Sequence, residues 1–449
     1  MRSSHYFKWL LGFALLNGLV IAALVLMGRG GDSGVFAILF FLGLAGACTG
    51  HETFKSFTYT MVILSLVSLA MFFPIRQVGD VTLTVLIVPL LQIIMFTVGS
   101  QMSLKDFEGV IRMPKAVFVG LICQFSIMPL VGFSLAHIFA LEPEIAAGLI
   151  LIGCSSSGLA SNVMAFLARA NLPLSVTLTV CATLVAPIMT PFLMGVLAGQ
   201  FVPVDFWSMM SGVIRMVIFP IMAGVLFNAI AFGRVKRRTF LWELVSFAAV
   251  ILMVQTILGT VGGLPDTLTL KTVLTIMLWV LVLPPIAGGV IRSIFGTQRT
   301  VLERVMAFAS MAGIGVILTI ITSAGRDDLL TIGLLLLVAC VLHNIGGYLL
   351  GYWSCRLLKM DERTCRTIAL EVGQQNGGLA SGIAVEMGKA ATVGLAPAVF
   401  GALMNVTGSA LATFWRYRPV PGAEAPGAGV DNPVGAGTEG GVGAEDTRR

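Results

Sequence analysis

Eight consecutive residues, Glu371-Val372-Gly373-Gln374-Gln375-Asn376-Gly377-Gly378, set one carboxylate, three side-chain amides and three glycines inside an otherwise apolar run. A carboxylate buried in such a run costs about 2.5–3.5 kcal/mol even on the lenient membrane-insertion scale, so a partner must offset it. Sodium is a hard cation that takes several oxygen ligands. A carboxylate, amide oxygens, hydroxyls and unwound backbone carbonyls supply them. Glu371 and Gln375 lie four residues apart and share a helix face. Two blander readings stay open: a protonated Glu371, or one paired with a structural basic residue.

A second polar anomaly is Ser155-Ser156-Ser157-Gly158-Leu159-Ala160-Ser161-Asn162, four serines and an asparagine where a lipid-facing segment would be apolar. Gly153 and Gly158 relax helical geometry, and backbone groups freed there must find partners inside protein or in a water-filled cavity. A half-helix starting near Ser161 aims free N–H groups at an anion. The competing explanation is a small-residue packing face of the GxxxG kind. Ser175 and Thr179, again four apart, add hydroxyls to one face of the next apolar stretch, although such hydroxyls often bond back to their own helix. His343, one of only four histidines, lies in an apolar run. A hydrogen-bonded packing role beside Asn344 is favoured over a proton carrier. The seven cysteines have neither CxxC nor metal-ligand spacing and read as small core residues.

The elements that must position these groups are membrane helices. Of 449 residues, 57% are hydrophobic and 11% charged, against about a quarter charged in soluble domains. Candidate spans are 8–27, 34–50, 56–75, 82–104, 116–140, 144–169, 173–199, 209–232, 240–262, 271–294, 302–323, 329–356, 364–389 and 392–416, about fourteen in all. The net charge of +6 comes from basic residues placed singly or in short clusters between spans, which speaks against nucleic acid as a partner. Threading the chain gathers most of them on one side, among them Lys105, Arg112, Arg234, Lys236, Arg237, Arg299, Arg356 and Arg416, against Arg29, Arg76, Lys271, Arg326 and Lys389 opposite. This asymmetry predicts both termini in the cytoplasm of a cell-membrane protein. Arg2 and Lys8 before the first apolar run also suit a signal peptide, but the run is long and no A-x-A-like site ends it, so a retained helix is expected. Residues 417–449, rich in Gly, Pro, Ala and Glu, are expected to form a disordered cytoplasmic tail.

Two internal echoes occur. Phe219-Pro220-Ile221-Met222-Ala223-Gly224 returns as Leu283-Pro284-Pro285-Ile286-Ala287-Gly288, a tandem repeat of a helix pair. Gly158-Leu159-Ala160-Ser161 returns as Gly378-Leu379-Ala380-Ser381, with opposite direction through the membrane in the threaded topology, as in the inverted repeats of secondary transporters.

The chain resembles the bile acid:sodium symporter family over roughly 56–232 and 302–416. The most specific stretches are Gly153-Cys154 through Met164 with Leu167-Ala168-Arg169, Glu371 through Asn376, Val341-Leu342-His343-Asn344 with Gly347 to Gly351, and Gln124-Phe125 with Met128-Pro129. The resemblance implies an all-α polytopic fold of two inverted five-helix repeats with broken crossing helices, here with about four additional helices. The first repeat would span 56–199. The second would span 209–416 and be interrupted by a pair near 240–294, with two extra helices within 1–55. It implies two sodium ions. One would be held by Ser161, Asn162, Ser175, Thr179 and Glu371, the other by Gln124, Glu371, Gln375 and the carbonyls of Val372 and Gln374. It places a small organic anion beside the crossing, near Ser157, Asn376 and Asn405. Two departures touch that neighbourhood: Ser156-Ser157-Gly158 stands where the family commonly has Pro-Gly-Gly, and Met404 stands where it often has His.

The expected function is sodium-coupled symport of an organic anion, bile-acid-like or a smaller carboxylate or sulfonate, in a lipid bilayer and without an organic cofactor. Proton-coupled or uncoupled efflux and a non-transporting receptor are the alternatives. An enzyme is not expected, because no nucleophile–base pair or metal cluster stands out.

Overall fold

The computed structural model describes residues 2–50, 54, 57–102, 108–232, 237–295, 299–418 and 420. From 421 on, the expected tail lies outside the described residues, as do Lys105, Arg234 and Lys236. The helices are α1 (Arg2–Leu26), α2 (Gly34–Thr49), α3 (Thr58–Phe72), α4 (Ile87–Gln101), α5 (Glu108–Arg112), α6 (Pro114–Ile138), α7 (Pro143–Cys154), α8 (Ala160–Leu167) and α9 (Leu172–Leu193). They continue as α10 (Phe206–Val213), α11 (Phe219–Ala231), α12 (Arg237–Thr256), α13 (Leu270–Met277), α14 (Leu283–Phe295) and α15 (Arg299–Ala324). The last four are α16 (Arg326–Leu357), α17 (Glu362–Gly373), α18 (Gly377–Glu386) and α19 (Leu395–Arg416).

Among the described residues, 11 helical stretches are long and apolar enough to cross a membrane. The three remaining sequence spans are the 15-residue α3 and two stretches that are each broken in the middle, α7–α8 and α17–α18. One addition to the all-α expectation is a small exposed hairpin of β1 (Gln77–Val78) and β2 (Val81–Thr82), turned at Gly79 with φ +60. A glycine followed by Asp80 suits a two-residue hairpin turn that requires positive φ.

Helices α1 and α2 pack on each other and reach the body through α3. Helix α4 lies close along α11: a Cβ at Gly99 would sit 2.7 Å from Ile221 Cα, and one at Gly224 2.6 Å from the backbone nitrogen of Ser100. Small residues let the two backbones approach, which is how helices associate where lipid removes the hydrophobic drive. The chain then makes an excursion through α12, α13 and α14, with α14 against α11, before α15 returns to α3 and α4.

The tandem echo has a structural counterpart. The five residues before Phe219 and the five before Leu283, Ile214–Ile218 and Leu278–Val282, are both π-helical. In each copy a proline follows one residue later. Its ring clashes with the carbonyl four residues back and it donates no N–H, which a locally widened helix accommodates.

The two broken helices cross at their breaks. Gly158 N donates to Gln374 O at 2.8 Å and Asn376 N donates to Ser156 O at 2.8 Å, so Ser157 and Gln375 pair as an isolated antiparallel bridge. A Cβ at Gly158 would lie 2.6 Å from Gln375 O, closer than van der Waals contact allows, whereas one at Gly195 meets nothing within 4 Å. Gly158→Ala is therefore expected to cost about 1–3 kcal/mol, read as a lower thermal midpoint of the purified protein. Gly195→Ala should cost nothing, and equal midpoints for the two variants would contradict this packing.

Candidate ion and substrate site

The site is built where unwinding exposes polar backbone. Helix α7 ends at Cys154 and Ser155 is extended, with φ −77 and ψ 164; α17 ends at Gly373 and Gln374 is extended, with φ −99 and ψ 96. The carbonyls stranded by these breaks are met by side chains from neighbouring helices. Thr190 Oγ1 of α9 donates to Cys154 O at 2.7 Å, and Asn344 Nδ2 of α16 donates to Gly373 O at 2.7 Å. Thr407 Oγ1 of α19 in turn donates to Asn344 Oδ1 at 2.5 Å. Neither Thr190 nor Thr407 stands out in the sequence, since an isolated threonine in an apolar helix carries no signal of its own.

The first expected ion set is brought together. Glu371 is 2% exposed. Its Oε1 accepts from Ser175 Oγ, its Oε2 from Thr179 Oγ1 at 2.9 Å. Both hydroxyls also face Asn162 Oδ1, at 2.8 and 3.4 Å. Ser161 Oγ gives its proton to Gly158 O at 2.8 Å and lies 3.3 Å from Thr179 Oγ1. The Ser175 and Thr179 hydroxyls have one proton each, yet three acceptor oxygens face them: Asn162 Oδ1 and the two of Glu371. Such a convergence of oxygens suits either a bound cation or a proton on Glu371. Among the described residues no Lys or Arg nitrogen lies within 4 Å of Glu371, so none of them pairs with it as a structural ion pair.

The second set is assembled differently. Gln124 Nε2 bridges Ser155 O at 3.0 Å and Gln375 Oε1 at 2.9 Å, while Gln375 Nε2 donates to Val372 O at 2.6 Å. The Gln374 carbonyl accepts from Gly158, and its side chain turns away to Tyr348 Oη at 2.7 Å and Met404 O at 2.6 Å. Val372 O and Gln374 O thus each have one lone pair engaged, and Gln124 Oε1 is buried with no hydrogen-bond partner. Gln124, Gln375 and the two carbonyls are neighbours, but both oxygens of Glu371 are bonded within the first cluster.

Of the residues expected near substrate, Ser157 is buried at the crossing with an unpartnered Oγ. Asn376 caps α18, its Oδ1 accepting from Leu379 N at 3.0 Å. Asn405 is buried on α19, directly after the Met404 carbonyl held by Gln374, and its Nδ2 bonds back to Gly401 O at 2.7 Å. His343 is fully buried, Nε2 donating to Met128 O at 2.8 Å beside Gly132 and Gly153. Its ring also meets Phe400 edge-on at 5.4 Å, while Nδ1 is buried with no hydrogen-bond partner among the described residues.

Residues 88–264 match the model of the Sodium Bile acid symporter family. Over 326 residues the chain is 33% identical to the uncharacterized sodium-dependent transporter YocS of Bacillus subtilis, covering 72% of this chain and 81% of that protein. It is 31% identical to the probable sodium/metabolite cotransporter BASS1, chloroplastic, of Arabidopsis thaliana, covering 73% of this chain and 65% of that one. It is 28% identical to the ileal sodium/bile acid cotransporter of Oryctolagus cuniculus, covering 68% and 70%. These relatives are transporters, not enzymes. With a family model matching residues 88–264 and a relative this similar over most of its length, the chain belongs to the sodium bile acid symporter family.

Proposed function

We propose that the protein is a sodium-coupled importer of a small organic anion, working by alternating access in the cell membrane with both termini in the cytoplasm. The observation that carries this reading is the Glu371 cluster, in which a buried carboxylate, an amide oxygen and several hydroxyls converge from three helices, with no Lys or Arg nitrogen within 4 Å among the described residues. Two sodium ions are cargo. The first neutralises Glu371 among Ser161, Asn162, Ser175 and Thr179. The second takes Gln124, Gln375 and the carbonyls of Val372 and Gln374, after Gln375 turns its amide and Glu371 is shared between the sites. Fixing the crossing in this way completes the anion site, where the start of α18, capped by Asn376, and the unpartnered Ser157 hydroxyl offer donors. Asn405 joins them by releasing its own helix.

The inverted-repeat reading is supported by matched element lengths: α7 and α17 have 12 residues each, α9 and α19 have 22 each. In the proposed cycle the body around the crossing, α6–α9 with α16–α19, rocks against α3, α4, α11 and α15. The names of the relatives, sodium with bile acid or with metabolite, support both the coupling and the substrate class. Two sodium ions entering with one monovalent anion down a tenfold gradient contribute roughly 2.8 kcal/mol. The one net charge adds roughly 2.3 kcal/mol per 100 mV. Together they sustain accumulation of more than about a thousandfold.

The primary test is a thermal-stability screen of the purified protein against bile acids, carboxylates and sulfonates, each with sodium or with choline. At least one anion should stabilise only in sodium, and the same anion should enter proteoliposomes only when sodium is outside. Entry that follows pH and ignores sodium would move the coupling to a proton, and binding without entry would mark a receptor.

Residue roles separate in the same assay. Glu371→Gln, which keeps shape but removes the charge, should abolish saturable sodium stimulation. Ser175→Ala should lower apparent sodium affinity on the order of 10–100-fold. Asn405→Ala should raise the anion KM while leaving the sodium dependence near wild type. Sodium activation that survives Glu371→Gln would remove the carboxylate from the ion site.

A further inference from the structure

The excursion through α12, α13 and α14 leaves a cleft of about 1010 Å³ between the two copies of the tandem repeat, at the upper end of the roughly 300–1,000 Å³ spanned by small-molecule sites. Its apolar walls include Phe96 of α4, Phe219 and Pro220 at the start of α11, and Trp279, Leu283 and Pro284 from the second copy. The cleft lies on the far side of α4 from the crossing. Leu91 points inward, where Cβ atoms at Gly378 and Gly382 would meet its side chain, while Ile93, half exposed on the outer face, lines the cleft. Trp279 is 65% exposed although it lies within a membrane span, so the cleft opens toward lipid.

Into this apolar space project two cationic side chains, Arg215 and Lys271, with one carboxylate, Asp266. Among the described residues none of these three forms an ion pair within 4 Å. Arg215 lies nine residues into the span that begins at Phe206, roughly 14 Å from its end at 1.5 Å per residue. Glu386 of α18, whose carboxylate packs against Gly212, is the acid in its electrostatic reach, beyond ion-pair distance. Gln92 Nε2 donates to Arg215 O at 3.3 Å, so the amide steadies the backbone of the π-helical turn and leaves the guanidinium for the cleft. A cation this deep in a span marks a site rather than a surface, and apolar walls with a net positive charge call for an amphiphile bearing an anion.

We propose that this cleft binds an anionic phospholipid from the bilayer, its phosphate between Lys271 and Arg215 and an acyl chain along Phe96, Phe219 and Trp279. The lipid fills the seam between the repeated helix pairs and ties α13 and α14 to α4 and α11. A zwitterionic lipid brings its own cation to a seam that already has an excess of positive charge. A water-soluble anion leaves the apolar walls uncovered. This site is independent of the ion site and of the direction or coupling of transport.

The test uses the full-length protein in neutral-detergent micelles, with native mass spectrometry to count retained lipids and thermal midpoints as a second readout. Phosphatidylglycerol should be retained and should stabilise more than phosphatidylcholine. Arg215→Gln and Lys271→Gln should each lower phosphatidylglycerol affinity roughly fivefold, one charge being worth about one such step. Ala287→Trp, which keeps both charges and fills the cleft, should reduce retention as well; with Lys271→Gln at an exposed position, it preserves the test if Arg215→Gln fails to fold. Equal retention of the two lipids by the wild type, an unchanged preference in Lys271→Gln and Ala287→Trp, or equal stabilisation by glycerol 3-phosphate alone would each overturn the proposal.

Discussion

The structure depends on one exchange of backbone hydrogen bonds, Gly158 N to Gln374 O and Asn376 N to Ser156 O, each 2.8 Å. Lipid offers no partner to a freed N–H or C=O, so a helix unwinds in a membrane only where protein supplies one. Here two helices unwind at the same place and each satisfies the other. Neither break is affordable alone, and their position in one chain fixes their position in the other. The remaining carbonyls at the two helix ends are met by Thr190 and Asn344, which binds α9 and α16 to the same point. A two-strand bridge of single residues therefore organises six helical elements.

That exchange determines where charge can sit. Glu371 lies one turn before the break in α17 and projects toward α9, where Ser175 and Thr179 stand four residues apart on one face. Asn162 reaches the same oxygens from α8, beyond the other break. The oxygen set thus spans three helical elements, α8, α9 and α17, the last two of which also meet where Thr367 Oγ1 accepts from Asn171 N at 2.8 Å. A displacement of one break relative to the other would disperse these oxygens, so the crossing and the oxygen cluster stand or fall together.

Much of this was legible in the sequence because membranes make polarity informative. In an apolar chain a carboxylate with three amides and three glycines is anomalous wherever it falls, and Ser161-Asn162 is anomalous for the same reason. The helix spans were legible because roughly 20 apolar residues have few alternatives. The supporting shell was not. Thr190 and Thr407 look like ordinary helix threonines, and only tertiary contact reveals that they hold stranded or network oxygens. Nor does spacing disclose how one carboxylate divides itself. Glu371 and Gln375 share a helix face in the sequence, but the break at Gln374 intervenes, and the two side chains end in separate networks.

The tandem repeat carries the same lesson at larger scale. From sequence, Phe219-Pro220 and Leu283-Pro284 look equivalent, and locally they are, each following a five-residue π-helical turn. Their surroundings differ. The first copy lies between α4 and the broken helix α18, so it is buried on both sides, packed on α18 through Gly212 and on α4 through Gly224. The second copy lies against the first and has no α4 of its own, so Trp279, Leu283 and Ile286 stay exposed. Local sequence sets the shape of a helix, but the partner across its face decides whether that face is buried in protein or left to the bilayer. The family match bears on the same point, since it runs from α4 through α12 to residue 264 and so enters the excursion. Both copies keep the glycine that admits a neighbouring backbone: Gly224 lets α4 approach α11, and Gly288 lets α11 approach α14, so the same local shape is used once against α4 and once against the first copy.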